Sequence, residues 1–532
     1  MAGNNWNRPK NPQNPRTHQP GGSNAYKPPA AKFNEPQPLL DHIPSPYNFV
    51  PLSRNVVLLD ETRRRSVSQD VPVSDGLSGT LKLTVKAVSP IYIRNGGAHP
   101  IETVDKNTHP DYTDFYRLYP EGPYGIPGSS IKGMIRSVVE IASFSKMKLV
   151  DDHRYSIRNL DNQKAYTDHL TDSKSGAYEP RAMAGWLKDG GNGQWHLYPC
   201  SFGRVEQSDL ARYHGNGFKP WIRQSGVKKY TTWLNTFPNM KLRCRIGKKQ
   251  RHTHGHGAFI YSKVDQLGNG PHEGVVVLTG QPAEWDPDKP GSWKRKKHME
   301  FVFFDPKSEP VEIPQKLKEE FVFVHCESNG LPNEEWKYWK KKMQAGERVP
   351  VFYLGTEQKP TSMGLAMMYR LPYQFSIGEA IAHSCADHRN PILDFSEGLF
   401  GCVNDTAGIK GRIWFRPMTV IGDPKPQGKV VTILNSPKPT FYANYVEQQG
   451  GSNGQAGADY TTFMDEDCTI RGWKRYPVRR TNPSPIKPLD NQKKLETAFR
   501  PMPVGTQFTG EISFHNVRPE ELGAVVWAIH LG

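Results

Sequence analysis

Gly125-Ile-Pro-Gly-Ser-Ser-Ile-Lys-Gly-Met-Ile-Arg136 is the most informative stretch of this chain. Beyond Pro127 and Gly128, Ser129 or Ser130 stands where an N-cap belongs, and Ile131, Ile135, Val138, Val139 and Ala142 recur at helical spacing. A loop entering a helix N-terminus is therefore expected, with Lys132 and Arg136 on the polar face of the helix. Backbone N–H groups at such a start, beside glycines that carry no side chain, can receive a phosphate, while the serines and the two cations add hydroxyls and charge. Gly128, Ser129, Ser130, Lys132 and Arg136 are thus candidates for a cradle that holds an RNA backbone without reading bases. A plainer reading of the same residues is a tight turn and a capped helix.

Upstream, Leu81, Leu83, Val85 and Ala87 alternate with Lys82, Thr84 and Lys86, which predicts a strand with one buried face. A polar loop over 95–113, a short strand over 114–118 and a turn over 119–123 lead back to the glycines. Near the other end, Phe508, Ile512 and Phe514 alternate with polar residues, and Pro519-Glu-Glu-Leu starts a helix bearing Leu522, Val525, Val526 and Ile529. A strand and a helix at each end predict an α+β core of the RNA-recognition-motif (ferredoxin-like) kind, its halves separated by a long insertion. The expected organisation is a basic, disordered Asn/Pro-rich tail over 1–45, the first part of the core over 46–147, a partly irregular insertion over 148–390 and the rest of the core over 391–532.

Composition points to a polyanion. The 532 residues hold 69 Lys and Arg against 53 Asp and Glu, a formal charge of +16, and 46 prolines with 48 glycines imply much loop. Mean hydropathy is −0.67, and no apolar run approaches the roughly 20 residues that span a bilayer. The six cysteines are scattered without a CxxC pair and the N-terminus lacks the apolar core of a signal peptide, so reduced thiols and a cytoplasmic location are expected. The densest basic run holds Arg243, Arg245, Lys248, Lys249 and Arg251; Arg243 and Arg245 alternate with apolar neighbours, as on one face of a strand. Lys294-Arg-Lys-Lys297 is a second cluster, and Trp473-Lys-Arg-Tyr476 with Arg479 and Arg480 interleaves charge with rings that could stack on bases. Each cluster alone is also compatible with a solvated face. His252, His254 and His256 stand close together but have no Cys or carboxylate cluster nearby in sequence, so a loop near RNA is favoured over a metal site.

The segment GIPGSSIKGMIRS closely resembles the signature of the RAMP superfamily of CRISPR-associated proteins. Leu393-Asp-Phe-Ser-Glu-Gly-Leu-Phe-Gly401 followed by Gly408-Ile-Lys-Gly-Arg-Ile-Trp-Phe415 resembles the LFG…GR(I/V) element of type III backbone subunits, adding Lys410 and Arg412 to the RNA-binding candidates. The stretches 46–52, 348–353, 364–373 and 520–527 are similar to one RAMP family of type III-D-like loci. The resemblance implies a modified RNA-recognition-motif fold that polymerises along a guide RNA (crRNA). In such subunits the signature grips the guide backbone, a β-hairpin thumb kinks the guide, complementary target RNA is captured, and other effector-complex subunits adjoin, in antiviral defence.

In type III backbone subunits a loop between the first strand and the signature supplies an acidic residue for target cleavage. Asp114 matches that position best, with Asp111 and Asp105 in the same loop as alternatives. The implied chemistry is attack of a ribose 2′-OH on the adjacent phosphate, usually with a divalent cation (Mg2+ or Mn2+) and no organic cofactor; a carboxylate serves as hydrogen-bond acceptor or ion ligand. Asp-rich polar loops are also ordinary turns. A non-catalytic architectural subunit and a crRNA-processing endoribonuclease are the other readings, although the glycine-rich C-terminal loop of the latter is missing around Glu511–Val517.

Overall fold

The computed structural model describes residues 47–95, 115–160, 162–174, 176–215, 224–254, 257–280, 298–327, 330–403, 408–433, 441–448, 460–477 and 496–531, apart from 237–239. The period-two alternation ahead of the signature forms β1 (Leu77–Lys86). In chain order the companion elements are β2 (Gly125–Ile126), α1 (Gly128–Ala142), α2 (Phe395–Phe400), β3 (Ile413–Phe415), β4 (Met418–Val420), β5 (Gln507–Val517) and α3 (Pro519–His530). The fold is mixed α+β, with sheets that are largely antiparallel.

Strand β5 lies at the centre of this sheet. It pairs antiparallel with β1 from Lys86↔Gln507 to Leu77↔Val517, and on its other edge with β3 and β4, which carries β2 beyond it. One face is apolar: Ile413, Met418, Phe508 and Ile512 pack with Ile131, Ile135, Val138 and Val139 of α1 and Val525 and Ala528 of α3. Each of the larger side chains contributes roughly 1.5–3 kcal/mol by leaving water. On the opposite face Lys82 lies across from Glu511 and Thr84 across from Thr509. Val85, expected inside, is 39% exposed because β1 is an edge strand.

Arg412 ties this core together from within. Its side chain is 2% exposed; Nε donates to Gly398 O at 3.1 Å, Nη1 donates to Asn516 O at 2.7 Å and to Glu521 Oε2 at 2.8 Å, and Nη2 donates to Glu521 Oε1. The expectation that Arg412 contacts RNA is therefore corrected: the guanidinium is closed off from solvent and its donors are spent on α2, β5 and α3.

The region expected to be partly irregular contains the largest sheet. Its strands run Val264–Leu267, Lys241–Ile246, His272–Val277, Met299–Phe304, Trp195–Glu206, Met183–Asp189, Val349–Gly355 and Pro360–Gly364, with Val311–Glu312 pairing with Trp195–Glu206. Val302, Val351 and Tyr353 enter one apolar cluster while Phe301, Phe303 and Phe352 enter another, so both faces are buried. That explains the continuous apolar runs Phe301-Val-Phe-Phe304 and Val349-Pro-Val-Phe-Tyr-Leu354. Val446, Phe463, Cys468 and Ile470 pack into the second cluster rather than against β5. Among the described residues no helix is long and apolar enough to cross a membrane, and all six cysteines are free.

Two outcomes test this packing. Arg412→Ala is expected to lose about 3–5 kcal/mol in urea unfolding by stranding Glu521, and Arg412→Met with Glu521→Met to recover most of it. Burial holds His325 down to about 4, so protonation favours the unfolded chain. Stability is then expected to fall from pH 6.5 towards pH 4, by an amount on the order of 3 kcal/mol, and to fall less in His325→Gln.

Candidate nucleic-acid interface

The helix with the signature starts two to three residues earlier than its serines suggest. Pro127 occupies the N-cap, no side chain caps the first turn, and Ser129 and Ser130 are exposed. Gly128 is buried because a Cβ there would lie 2.1 Å from Phe415 O. The glycine thus serves a close backbone approach between α1 and β3 rather than leaving room for a phosphate, which corrects that part of the expectation. Ser129 and Ser130 remain accessible donors at the helix start.

One turn further on, α1 meets the second motif. Lys132 Nζ donates to Phe400 O at 3.1 Å, and Arg136 Nη1 approaches Gly401 O at 3.5 Å, across 268 and 265 residues of sequence. These carbonyls are available because α2 stops at Gly401, whose φ of +83° ends the helix. Asp394 and Glu397 form the capping box at the other end of α2. The two stretches that resemble one family pattern are therefore neighbours in space.

They enclose a cleft of about 430 Å³, lined by Lys132, Arg136, Lys146, Lys148, Glu140, Asp394 and Glu397 together with residues 400–403. Four cations face three carboxylates. Arg136 Nε donates to Glu140 Oε1 at 2.7 Å. Buried Lys146 contacts Glu397 Oε2 at 2.6 Å and donates to Asn390 O and Ile392 O. Lys148, 43% exposed, stands 3.4 Å from Glu397 Oε1. Lys132 bonds to a carbonyl and not to a carboxylate, so its charge is left for a ligand, beside the half-exposed Lys148. Burial first, and then the charge of Arg136, hold its ammonium below the usual lysine range. Burial pushes the Glu140 and Asp394 carboxyls up from the usual carboxylate range.

No family model and no curated protein matches the chain. The site is therefore read from its own chemistry.

The basic run behaves as its alternation predicts. In Lys241–Ile246, Leu242 and Cys244 are buried while Arg243 and Arg245 are exposed on the other face. Lys248, Lys249 and Arg251 are exposed as well, and Lys249 pairs with Glu179. Lys410 is exposed with its ammonium 5.5 Å from the centre of the Trp414 ring. His252 stacks on Tyr261 at 4.1 Å between ring centres; the side chains of His254 and His256 lie outside the described residues. Among the described residues no cluster of three or more His, Cys, Asp or Glu could hold a metal ion.

Asp105, Asp111, Asp114, Lys294–Lys297, Arg479 and Arg480 also lie outside the described residues. The Trp473–Tyr476 cluster is organised differently from the expectation of rings open to bases. Lys474 Nζ sits 4.0 Å from the centre of the Tyr47 ring, 5.1 Å from that of Tyr476 and 5.4 Å from that of Tyr445, so the protein's own cation occupies these tyrosines. Arg475 donates to Ser137 Oγ on α1 at 2.9 Å. Sequence reading missed Glu140, one turn after Arg136 on α1, and also Lys146 and Lys148, which only the chain beyond α1 brings back over the cleft.

Lys132→Ala is expected to weaken binding of an unstructured single-stranded RNA and to flatten the dependence of log K on log salt by about 0.7, measured by anisotropy. An unchanged slope would remove Lys132 from the interface. Because its pKa is depressed, affinity should decline with rising pH before exposed lysines titrate, and Lys132→Arg should abolish that decline.

Proposed function

We propose that the chain is a guide-RNA (crRNA)-binding backbone subunit of a type III CRISPR effector complex, which captures complementary target RNA in antiviral defence alongside other effector subunits. The observation that carries this reading is the meeting of Lys132 and Arg136 with the Phe400 and Gly401 carbonyls around a cleft with a surplus cation. The order β1–α1–β3/β4–β5–α3, with β5 between β1 and the β3/β4 edge, supports an RNA-recognition-motif-like RAMP core. A net charge of +16 and the exposed Arg243 and Arg245 favour a polyanion that is held along its backbone. A subunit that accepts any guide sequence needs such contacts, because phosphates carry no base information.

In this reading the loop between β1 and β2 delivers the cut. Asp114, or its neighbours Asp111 and Asp105, would accept the proton of the attacking 2′-OH or hold a divalent cation, and a lysine or arginine nearby would stabilise the charged phosphorane.

The assembled complex with guide and target RNA tests both halves. Asp114→Ala should keep target binding and lose one set of regularly spaced cuts on a sequencing gel. If Asp114→Ala, Asp111→Ala and Asp105→Ala all leave every cut in place, the loop does not cleave and the subunit is architectural.

A further inference from the structure

We propose that the apolar pocket beside the cleft receives one unstacked nucleobase of the strand whose backbone the cleft holds; this rests on the RNA reading of that cleft. The pocket measures about 400 Å³ and shares Glu140, Lys146, Lys148 and Leu149 with the cleft, so the two form one continuous depression. Lys146 and Lys148 line the part shared with the cleft, and Phe49, Tyr445, Phe463 and Trp473 line the rest, with Lys474 among these rings. Charge followed by ring surface is the sequence of groups that a single strand presents, phosphate and then base.

The polar atoms on the pocket wall already have partners. Tyr155 Oη donates to Asp151 Oδ2 at 2.8 Å, Lys474 Nζ donates to Tyr445 Oη at 3.0 Å, and Lys146 Nζ is closed by Glu397 and two carbonyls. A base held here is gripped by stacking and apolar contact rather than read at its edge, which suits a strand of any sequence. Leu149 is 75% exposed between the two compartments, an apolar side chain that a base would cover. Trp473 is held by the pairing Val50↔Trp473, so its ring stands on a fixed backbone. Lys146, Lys148 and Lys474 outnumber Glu140 and Asp151 in the lining, a balance that favours a ligand carrying phosphate over an uncharged side chain of a partner protein.

The test uses the full chain and an unstructured oligoribonucleotide in which 2-aminopurine replaces one base at a time. Binding should quench the probe at one position, and removing the base at that position should weaken affinity about tenfold. Trp473→Ala should cost as much, the two changes together no more than either alone, and Trp473→Phe should restore most of the loss. Leu149→Trp, which fills the pocket from an exposed position and spares folding, should also weaken binding.

Equal affinity for intact and abasic RNA would overturn the pocket, as would a Leu149→Trp variant that binds RNA normally but fails to join another effector subunit. In either case a Lys132→Ala variant that still weakens binding leaves the cleft reading standing. If Lys132→Ala is also without effect, both readings fall.

Discussion

A single buried guanidinium sets the geometry on which the candidate site depends. Arg412 reaches Gly398 at the end of α2, Asn516 at the end of β5 and Glu521 in the first turn of α3. A charge taken out of water is costly unless its donors are matched, and here donors on all three guanidinium nitrogens meet oxygens of the core. Those contacts fix where α2 lies, and with it the turn at Gly401 where the helix stops. The Phe400 and Gly401 carbonyls that face Lys132 and Arg136 are the last links of that chain. An arginine at the motif position that resembles a guide contact thus shapes the binding wall from behind it.

The cleft itself is more balanced than a bare phosphate cradle. Glu140, Asp394 and Glu397 sit among its cations, and two of the three carboxylates cap α2. Arg136 and Lys146 hold these carboxylates in place and spend most of their charge doing so. Lys132 and the half-exposed Lys148 are what an incoming polyanion meets. Preorganisation of this kind lowers the entropy lost on binding, since the cations are positioned before the ligand arrives.

How much was legible in the sequence follows from the range of the interactions involved. The helical spacing from Ile131 to Val139 and the alternation from Phe508 to Phe514 are local, and both became elements packed on one core. The alternation around Arg243 and Arg245 likewise gave the exposed face of a strand. What depended on distant chain was misread. Gly128 looked like space for a phosphate but fits against Phe415 O, and Arg412 looked like a ligand contact but faces Glu521, 109 residues away. The large sheet between Met183 and Gly364 was legible only in pieces, such as the alternation of Lys241–Ile246, because its central strands are buried on both faces and are joined by polar, glycine-rich loops.

The function proposed for this protein is to carry a guide strand by its backbone. Its most direct test is the RNA that travels with it. The protein purified from cells that also express a CRISPR array and the companion effector subunits should retain short RNAs with one constant, repeat-derived end and spacers of every sequence. Recovery of no RNA, or of cellular RNA without that constant end, would contradict the account.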